Sequence, residues 1–452
     1  MKEIPISHDE ARTAAAFVLD HPGADDVEVV VTRSRVGMTR FARSEIIQNT
    51  LKNEIHAYVR VVVGDRSATA TTTQLHGEHL RRAAARALDA ARASRPDPEF
   101  PGLPSPDDVG RAEGSMRWDA ATAEATPEDR AGAVAEVLRV AERGNVAGIY
   151  ETSAHSFAVQ SSRGIDCFDA HTRCVVNCLV DTGAGTGWAD DSSHARDEID
   201  VGATARRSLG KAKAAEGASD ADPGVYEVVL EPAATGALVE YLAYAGFGAK
   251  QVIEGESFLA SKSGSEVAAP AITVADDVWH PRSVGIGFDF EGVPRRRVAV
   301  IENGLANGPV SDLRTAARMG GTSTGHCSGS VEFGPYAANV VLEAGDASLD
   351  DLVGRVADGF LVTRFHYVNI LDRPGTLLTG MTRDGVHRIR GGEVVEPVHN
   401  FRFAQSVLEA LATVRGIGRD LVTFAPDYGS FGSVVAPALH VGEFNFASRT
   451  TH

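Results

Sequence analysis

The sequence predicts an α+β protein in two parts. An N-terminal domain of antiparallel sheet with flanking helices is expected over residues 1–222, and a strand-rich C-terminal domain, barrel-like or a curved sheet with a few helices, over 223–452. Three observations carry this expectation. Runs rich in valine and other β-branched residues at 27–34, 37–44 and 54–73 read as strands joined by short turns. An alanine-rich stretch from Glu78 to Ala93, with arginines at helical spacing, reads as a helix packed beside them. The polar, turn-forming ASDADPG at 218–224 then divides the chain, and beyond it strands and turns dominate.

The remaining elements follow in order. Ser7 and Glu10 stand at capping-box spacing, opening a first helix that runs to about Leu19. Residues 95–108 (RPDPEFPGLPSPDD) are proline-rich and read as a linker or long surface connection. Thr126 is placed as an N-cap with Pro127 at the first helical position and acids in the first turn, and that helix runs to about Arg143. Strands are expected at 147–161, 165–171 and 173–182, then a Gly-rich turn and a helix near 198–215. The C-terminal part has helices near 235–246, 311–318, 348–357 and 404–415.

At 452 residues the chain exceeds one ordinary core, and its 43% apolar and 23% charged shares are those of a globular protein. The net charge of −17 repels phosphate backbones and argues against direct nucleic-acid binding. The short basic runs Arg81-Arg82, Arg206-Arg207 and Arg295-Arg296-Arg297 read as solvated faces. The start, MKEIPISHDEARTAAAF, lacks the pattern of a signal peptide, and no apolar stretch reaches the roughly 20 residues that span a bilayer. Four cysteines in this length suggest a reducing compartment, so the cytoplasm is the expected setting.

Several motifs invite chemistry. Cys167, His171, Cys174 and Cys178 hold ligands of the zinc type, but the spacing is wrong for a knuckle. The segment reads instead as a hairpin turning near Ala170-His171, with Cys174 and Cys178 buried on one face. Gly321-Thr322-Ser323-Thr324-Gly325 matches G-x-S-x-G, yet a helix precedes the serine where a nucleophile elbow needs a strand. His326 and Cys327 are neighbours whose side chains diverge on an extended chain. Gly183, Gly185 and Gly187 lack the spacing of a dinucleotide loop. The acids Glu254/Glu256, Asp276-Asp277 and Asp289/Glu291 read as turn residues, with hard-cation binding as the alternative. Glu240 is a possible lone general base with no second catalytic group near it in sequence.

The stretch from Val225 offers a strand (VYEVVL), a Pro-Ala-Ala turn, and a helix entering at Thr235-Gly236 that contains no histidine. In order along the chain follow EGESFLASKSGSEVAAPAITVADD, FDFEGVPRRRVAVIENG, DGFLVTRFHYVN and TGMTRDGVHRIRGGEVVEPVHNFRF. With RFARSEIIQNTLKNEIHAYVRVVVGDRSATATTT in the first half, this order resembles the TldD/PmbA (TldD/TldE) family, whose members are often labelled modulators of DNA gyrase. The resemblance implies a two-subunit metalloprotease. Its TldD-type chains carry zinc on His-Glu-x-x-x-His plus a cysteine near the C-terminus, the glutamate polarising a zinc-bound water.

Against that motif, Glu240 falls at the first His, Tyr241 at the Glu and Ala245 at the second His. No cysteine follows Cys327, and the tail APDYGSFGSVVAPALHVGEF holds Gly and Ser where the last ligand is expected. The resemblance therefore implies the PmbA/TldE type: a subunit with no metal, cofactor or catalytic residue of its own. A TldD-like partner would hold the zinc in a heterodimer, and unstructured peptides, such as antitoxins or precursor peptides, would be the substrate. Any effect on gyrase would be indirect, given the acidic charge. Two rivals stand beside this. One is an active hydrolase with a metal on the acid clusters or on His326, His366, His387, His399 and His440; the other is a stand-alone peptide-binding homodimer.

Overall fold

The computed structural model describes residues 6–115, 117–141, 144–427 and 431–450. The first half is built on one antiparallel sheet of six strands: β1 (Asp26–Ala42), β2 (Glu45–Val63), β3 (Arg66–Thr72), β4 (Asn145–Ser161), β5 (Asp166–Asp181) and β6 (Thr186–Ser193). Their order is β3-β2-β1-β4-β5-β6. Period-2 alternation gives the sheet two apolar faces. Val27, Val29 and Val31 of β1 and Ala57, Val59 and Val61 of β2 pack against the helices His8–Ala16 and Gly77–Ala93. Further along the same face, Phe41, Tyr150, Cys174, Val176 and Cys178 meet Val134 and Val137 of the helix Pro127–Val140 and Ala205 of Val201–Ala214. The opposite face presents Val30, Phe157, Val159 and Cys167, and receives Ile286 and Phe288 of the second half.

The helix starts follow their caps. Ser7 with Glu10 and Thr126 with Asp129 form capping boxes, each pairing an N-cap hydroxyl and an N3 carboxylate with the other's backbone N–H. The first helix ends at Ala16 rather than Leu19, and the helix begun at Pro127 ends at Val140; Arg143 lies outside the described residues. Within 95–108, regular structure begins only with the short helix Pro106–Val109.

Two strand assignments are corrected. The runs 27–34 and 37–44 are one strand, with its turn at Arg43 and Ser44, both at positive φ (54° and 59°). Gly37 is no turn: a Cβ there would lie 2.4 Å from the Arg130 guanidinium, which packs across the strand. Likewise β5 runs unbroken through Ala170-His171, and the hairpin turns earlier, at Gly164 (φ 92°). His171, Thr172 and Arg173 are polar yet buried along a seam, which hides the alternation that marks a strand with one wet face.

The second half begins with β7 (Gly224–Leu230) and the helix Pro232–Gly246. A second sheet comprises β8 (Val274–Asp276), β9 (Val298–Glu302), β10 (Leu305–Ala306) and β11 (Asn339–Leu342), with β17 (Val422–Phe424) and β18 (Ser433–Ala436) returning from the tail. The third contains β7, β12 (Asp358–Asp372), β13 (Leu377–Arg390), β14 (Glu393–Pro397), β15 (Phe401–Ser406), β16 (Val414–Ile417) and β19 (Leu439–Arg449). Pairings β12–β7, β7–β19, β19–β15, β15–β13 and β13–β12 close it into a ring. Closure removes the open edges that a curved sheet would otherwise expose. Aromatic residues two apart on β15 and β19 share one face: Phe401 stacks on Phe446 at 4.6 Å and Phe365 on Phe444 at 5.4 Å.

A buried seam joins the halves. His155 of β4 stacks on His171 of β5 at 4.9 Å, and both meet Phe431 edge-on. Arg173 donates to the Gly432 carbonyl. Gly292 makes a left-handed turn (φ 72°) so close to β5's approach that a Cβ would sit 2.4 Å from Ile165. Burial, helped by Arg173, pushes the His155 imidazole down to about 3 from its ordinary 6.5. The unfolded chain then binds a proton between those values that the folded chain refuses. Stability from this residue is whole above pH 6.5 and falls with pH by about 1.4 kcal/mol per unit. His155→Phe is expected to lose less stability than the parent between pH 7 and pH 5, read from urea midpoints. Equal losses would refute the assignment.

Candidate functional site

The helix Pro232–Gly246 starts three residues earlier than its glycine suggests, because Pro232 takes the first helical position behind Glu231. It is buried nearly all round: Leu238, Val239 and Leu242 join the main core. Glu240 is 6% exposed, Tyr241 7% and Ala245 fully enclosed. The Glu240 carboxylate accepts a hydrogen bond from the Asp427 backbone N–H at 2.6 Å. The helix and the tail segment, nearly 190 residues apart, are therefore in direct contact, the two places where the resemblance puts metal ligands. Of the tail residues singled out in sequence, Tyr428, Gly429 and Ser430 lie outside the described residues.

Around this contact stand further polar groups. Burial pushes the Asp427 carboxyl up, opposed by His366. Burial, with Arg383 and Arg364, pushes the His366 imidazole down, so its neutral form is favoured. The His366 ring lies 4.4 Å from that of Tyr367, tilted by 51°, and Tyr367 is a bulky residue at φ 51° that is 70% exposed. Beyond them Arg364 pairs with Asp384 and lies 4.6 Å over the Trp188 ring. On the helix's next turn, Arg373 sits over Tyr244 and donates to the Ala245 carbonyl at 3.4 Å.

A zinc site of the His-Glu-x-x-x-His kind does not fit these side chains. Glu240 already spends an oxygen on a backbone amide, Tyr241 offers a phenol, and Ala245 offers a methyl group. Among the described residues, no group of three or more His, Cys, Asp or Glu is placed to hold a metal.

The structure separates the other motifs. Cys167 and Cys174/Cys178 face opposite sides of β5, and all three are enclosed. Burial pushes Cys167 and Cys174 up to about 12 and Cys178 to about 11, so these are thiols, packed as small apolar groups. Cys327 is raised well above its ordinary value by burial and by Glu291 and Asp289, which disqualifies it as a thiolate nucleophile. His326 turns away from it, contacting Asp276 at 2.9 Å and Thr324 at 2.9 Å. Burial alone would raise the Asp276 carboxyl; His326, Arg295 and the Asn339 amide more than offset it and hold it low.

Ser323 donates to the Ser311 carbonyl and caps the Gly325 amide, with the helix Leu313–Arg318 before it, so it is a loop serine. Asp289 accepts the backbone N–H groups of Glu291, Val293 and Cys327, the turn role expected of it. Burial raises Asp289, and raises Glu291 further with Asp289 beside it. His440 is fixed by Glu227 at 2.7 Å, and His387 lies on β13 of the ring, remote in sequence pairing from His326. Asp427 is the site residue the sequence did not single out; its signal was only its place in the tail stretch.

The frame is thus a helix-covered sheet docked on a closed, aromatic-filled ring, with the inner helix pinned to the tail. A model of the PmbA/TldA metallopeptidase C-terminal domain matches residues 223–448, and one of PmbA/TldA metallopeptidase domain 1 matches 27–91. The chain belongs to the PmbA/TldD metallopeptidase family. It is 27% identical over 290 residues to a metalloprotease of Methanothermobacter thermautotrophicus, covering 60% of this chain and 62% of that one. A TldD homologue named as a metalloprotease in Buchnera aphidicola is 27% identical over 202 residues, covering 44% and 41%. The matched stretch is thus about 40–60% of these relatives' own length. The crystal structure of TldE from Thermococcus kodakarensis superposes with a TM-score of 0.83 at 22% identity, over 97% of this chain and all of that one, and shares its fold.

Proposed function

We propose that the chain is a non-catalytic, TldE-like subunit of a two-component zinc metalloprotease that degrades or processes unfolded peptides. A TldD-like partner holds the zinc, and the two chains together enclose the substrate. The division between the two domains is placed at 222/223. The single observation that carries this reading is the Glu240–Asp427 bond. It ties up, in a structural contact, a residue at a position where the resemblance puts a metal ligand. The cytoplasm is the proposed setting, supported by four cysteines that are all free and buried as thiols. The net charge of −17 supports a protein rather than a nucleic-acid partner.

The test is co-expression with a TldD-like chain, followed by size-exclusion chromatography and a peptidase assay on an unstructured peptide. The expected outcome is a stable heterodimer whose activity is lost on chelation, with no cleavage by this chain alone. Chelator-sensitive cleavage by the isolated chain would sink the proposal in favour of a rearranged active site. A homodimer that refuses the partner would sink it in favour of a stand-alone binding protein.

A further inference from the structure

A cleft of about 440 Å³ opens where the two halves meet beside β6 and β17, each the last strand of its own sheet. One wall comes from the first half: Asp191 and Ser192 on β6, and Glu198 in the short turn Arg196–Glu198. The other wall carries Arg117, itself of the first half, and Arg282 of the second, with Thr423 of β17. That wall is braced: Arg117 donates to the His280 carbonyl at 3.3 Å and Thr423 to the Arg282 carbonyl at 3.1 Å.

The polar groups of the cleft are incompletely used. Among the described residues neither guanidinium makes an ion pair; Arg282 reaches Asp191 only through longer-range attraction. The Ser192 hydroxyl belongs to a residue 6% exposed and has no hydrogen-bond partner. Burial pushes the Asp191 carboxyl up against Arg207, 4.0 Å away, and the Ser192 N–H it already accepts, and an N–H donor from a ligand would offset the remainder; Glu198 accepts from the Ser193 hydroxyl and lies 3.4 Å from His194.

Opposed charges select the ligand class. An isolated anion such as phosphate meets Asp191 and Glu198 as well as the arginines. An isolated cation meets the arginines. A dipolar group satisfies both walls, because guanidinium forks match carboxylates and carboxylates accept N–H groups. We propose that this cleft binds an α-carboxylate together with the N–H groups beside it. Arg117 and Arg282 take the carboxylate, and Asp191 and Glu198 take the nitrogen. Free amino acids and the carboxyl ends of peptides share this chemistry. The tail segment that supplies Thr423 continues to Asp427, which donates its N–H to Glu240.

The experiment is calorimetry on the isolated full chain with three probes: alanine, acetyl-tetraalanine and acetyl-tetraalanine amide. The acid peptide or alanine is expected to bind at least tenfold more tightly than the amide. Arg282→Gln and Arg117→Gln are each expected to weaken that binding about tenfold or more. Arg282 is exposed, so its variant leaves the fold intact. Preference for alanine identifies a free amino acid as the source, and preference for acetyl-tetraalanine identifies a chain end; both support the site. Equal binding of the amide, no binding of either acid, or binding indifferent to both glutamine variants overturns it. Because no partner is present, failure here is distinguishable from failure to form a heterodimer.

Discussion

Replacing Asp169 by alanine is expected to destabilise the chain by about 3–5 kcal/mol. This carboxylate is fully buried on β5 and, among the described residues, accepts three backbone amides from three parts of the chain. It accepts Ser115 N–H at 2.7 Å from the segment entering the seam, Gly287 N–H at 2.8 Å from the second half, and Ala170 N–H at 2.8 Å from its own strand. Alanine leaves those donors in a site closed to water. A stranded buried donor costs about 1–3 kcal/mol. The space around the group is tight: a Cβ on Gly114 would lie 2.9 Å from its Oδ1. Asp169→Asn keeps one acceptor oxygen but turns an NH2 toward an amide, so it is expected to recover only part of the loss. Urea unfolding at pH 7 reads both variants. A loss below about 1 kcal/mol for Asp169→Ala would show that water replaces the carboxylate and that the seam is open.

Asp169 also shows where reading from sequence stops. The sheet, the capped helices and the strand-rich second half were legible, because alternation, capping residues and turn glycines are local signals. Ser7 with Glu10 and Thr126 with Asp129 cap as their spacing says. The hairpin turn expected near Ala170-His171 is unbroken strand, because both faces there are buried and the adjacent Asp169 answers to amides more than fifty residues away. Closure of the ring depends on the parallel pairing of β12 with β7, which no local pattern announces. The positions 240, 241 and 245 were legible only through the family's order of segments. That Glu240 reaches Asp427 follows from tertiary packing of the tail over the helix, and neither residue's neighbours in sequence encode it.

Rebuilding the metal motif by Glu240→His, Tyr241→Glu and Ala245→His together is expected to give a less stable chain that takes up no stoichiometric zinc. Each substitution works against the frame that now surrounds it. Removing Glu240 leaves the Asp427 N–H without its acceptor, a cost of about 1–3 kcal/mol. An imidazole at Ala245 enters a fully enclosed position whose own carbonyl is held by Arg373, and overpacking of that kind costs about 1–3 kcal/mol. A carboxylate at Tyr241, 7% exposed, must either be protonated or lose its hydration unpaired. The losses fall on one helix and couple, so the combined penalty is expected to reach about 4 kcal/mol or more without adding simply. The third ligand is also missing, since the last cysteine of the chain is Cys327, and two imidazoles without it leave the coordination incomplete. Metal content after equilibration with zinc, alongside the urea midpoint, decides the matter. One zinc per chain at parent-like stability would mean that the helix and tail still hold an open site. The chain would then be separated from metal binding only by the identity of three residues, and the proposed zinc-free role would rest on those residues alone.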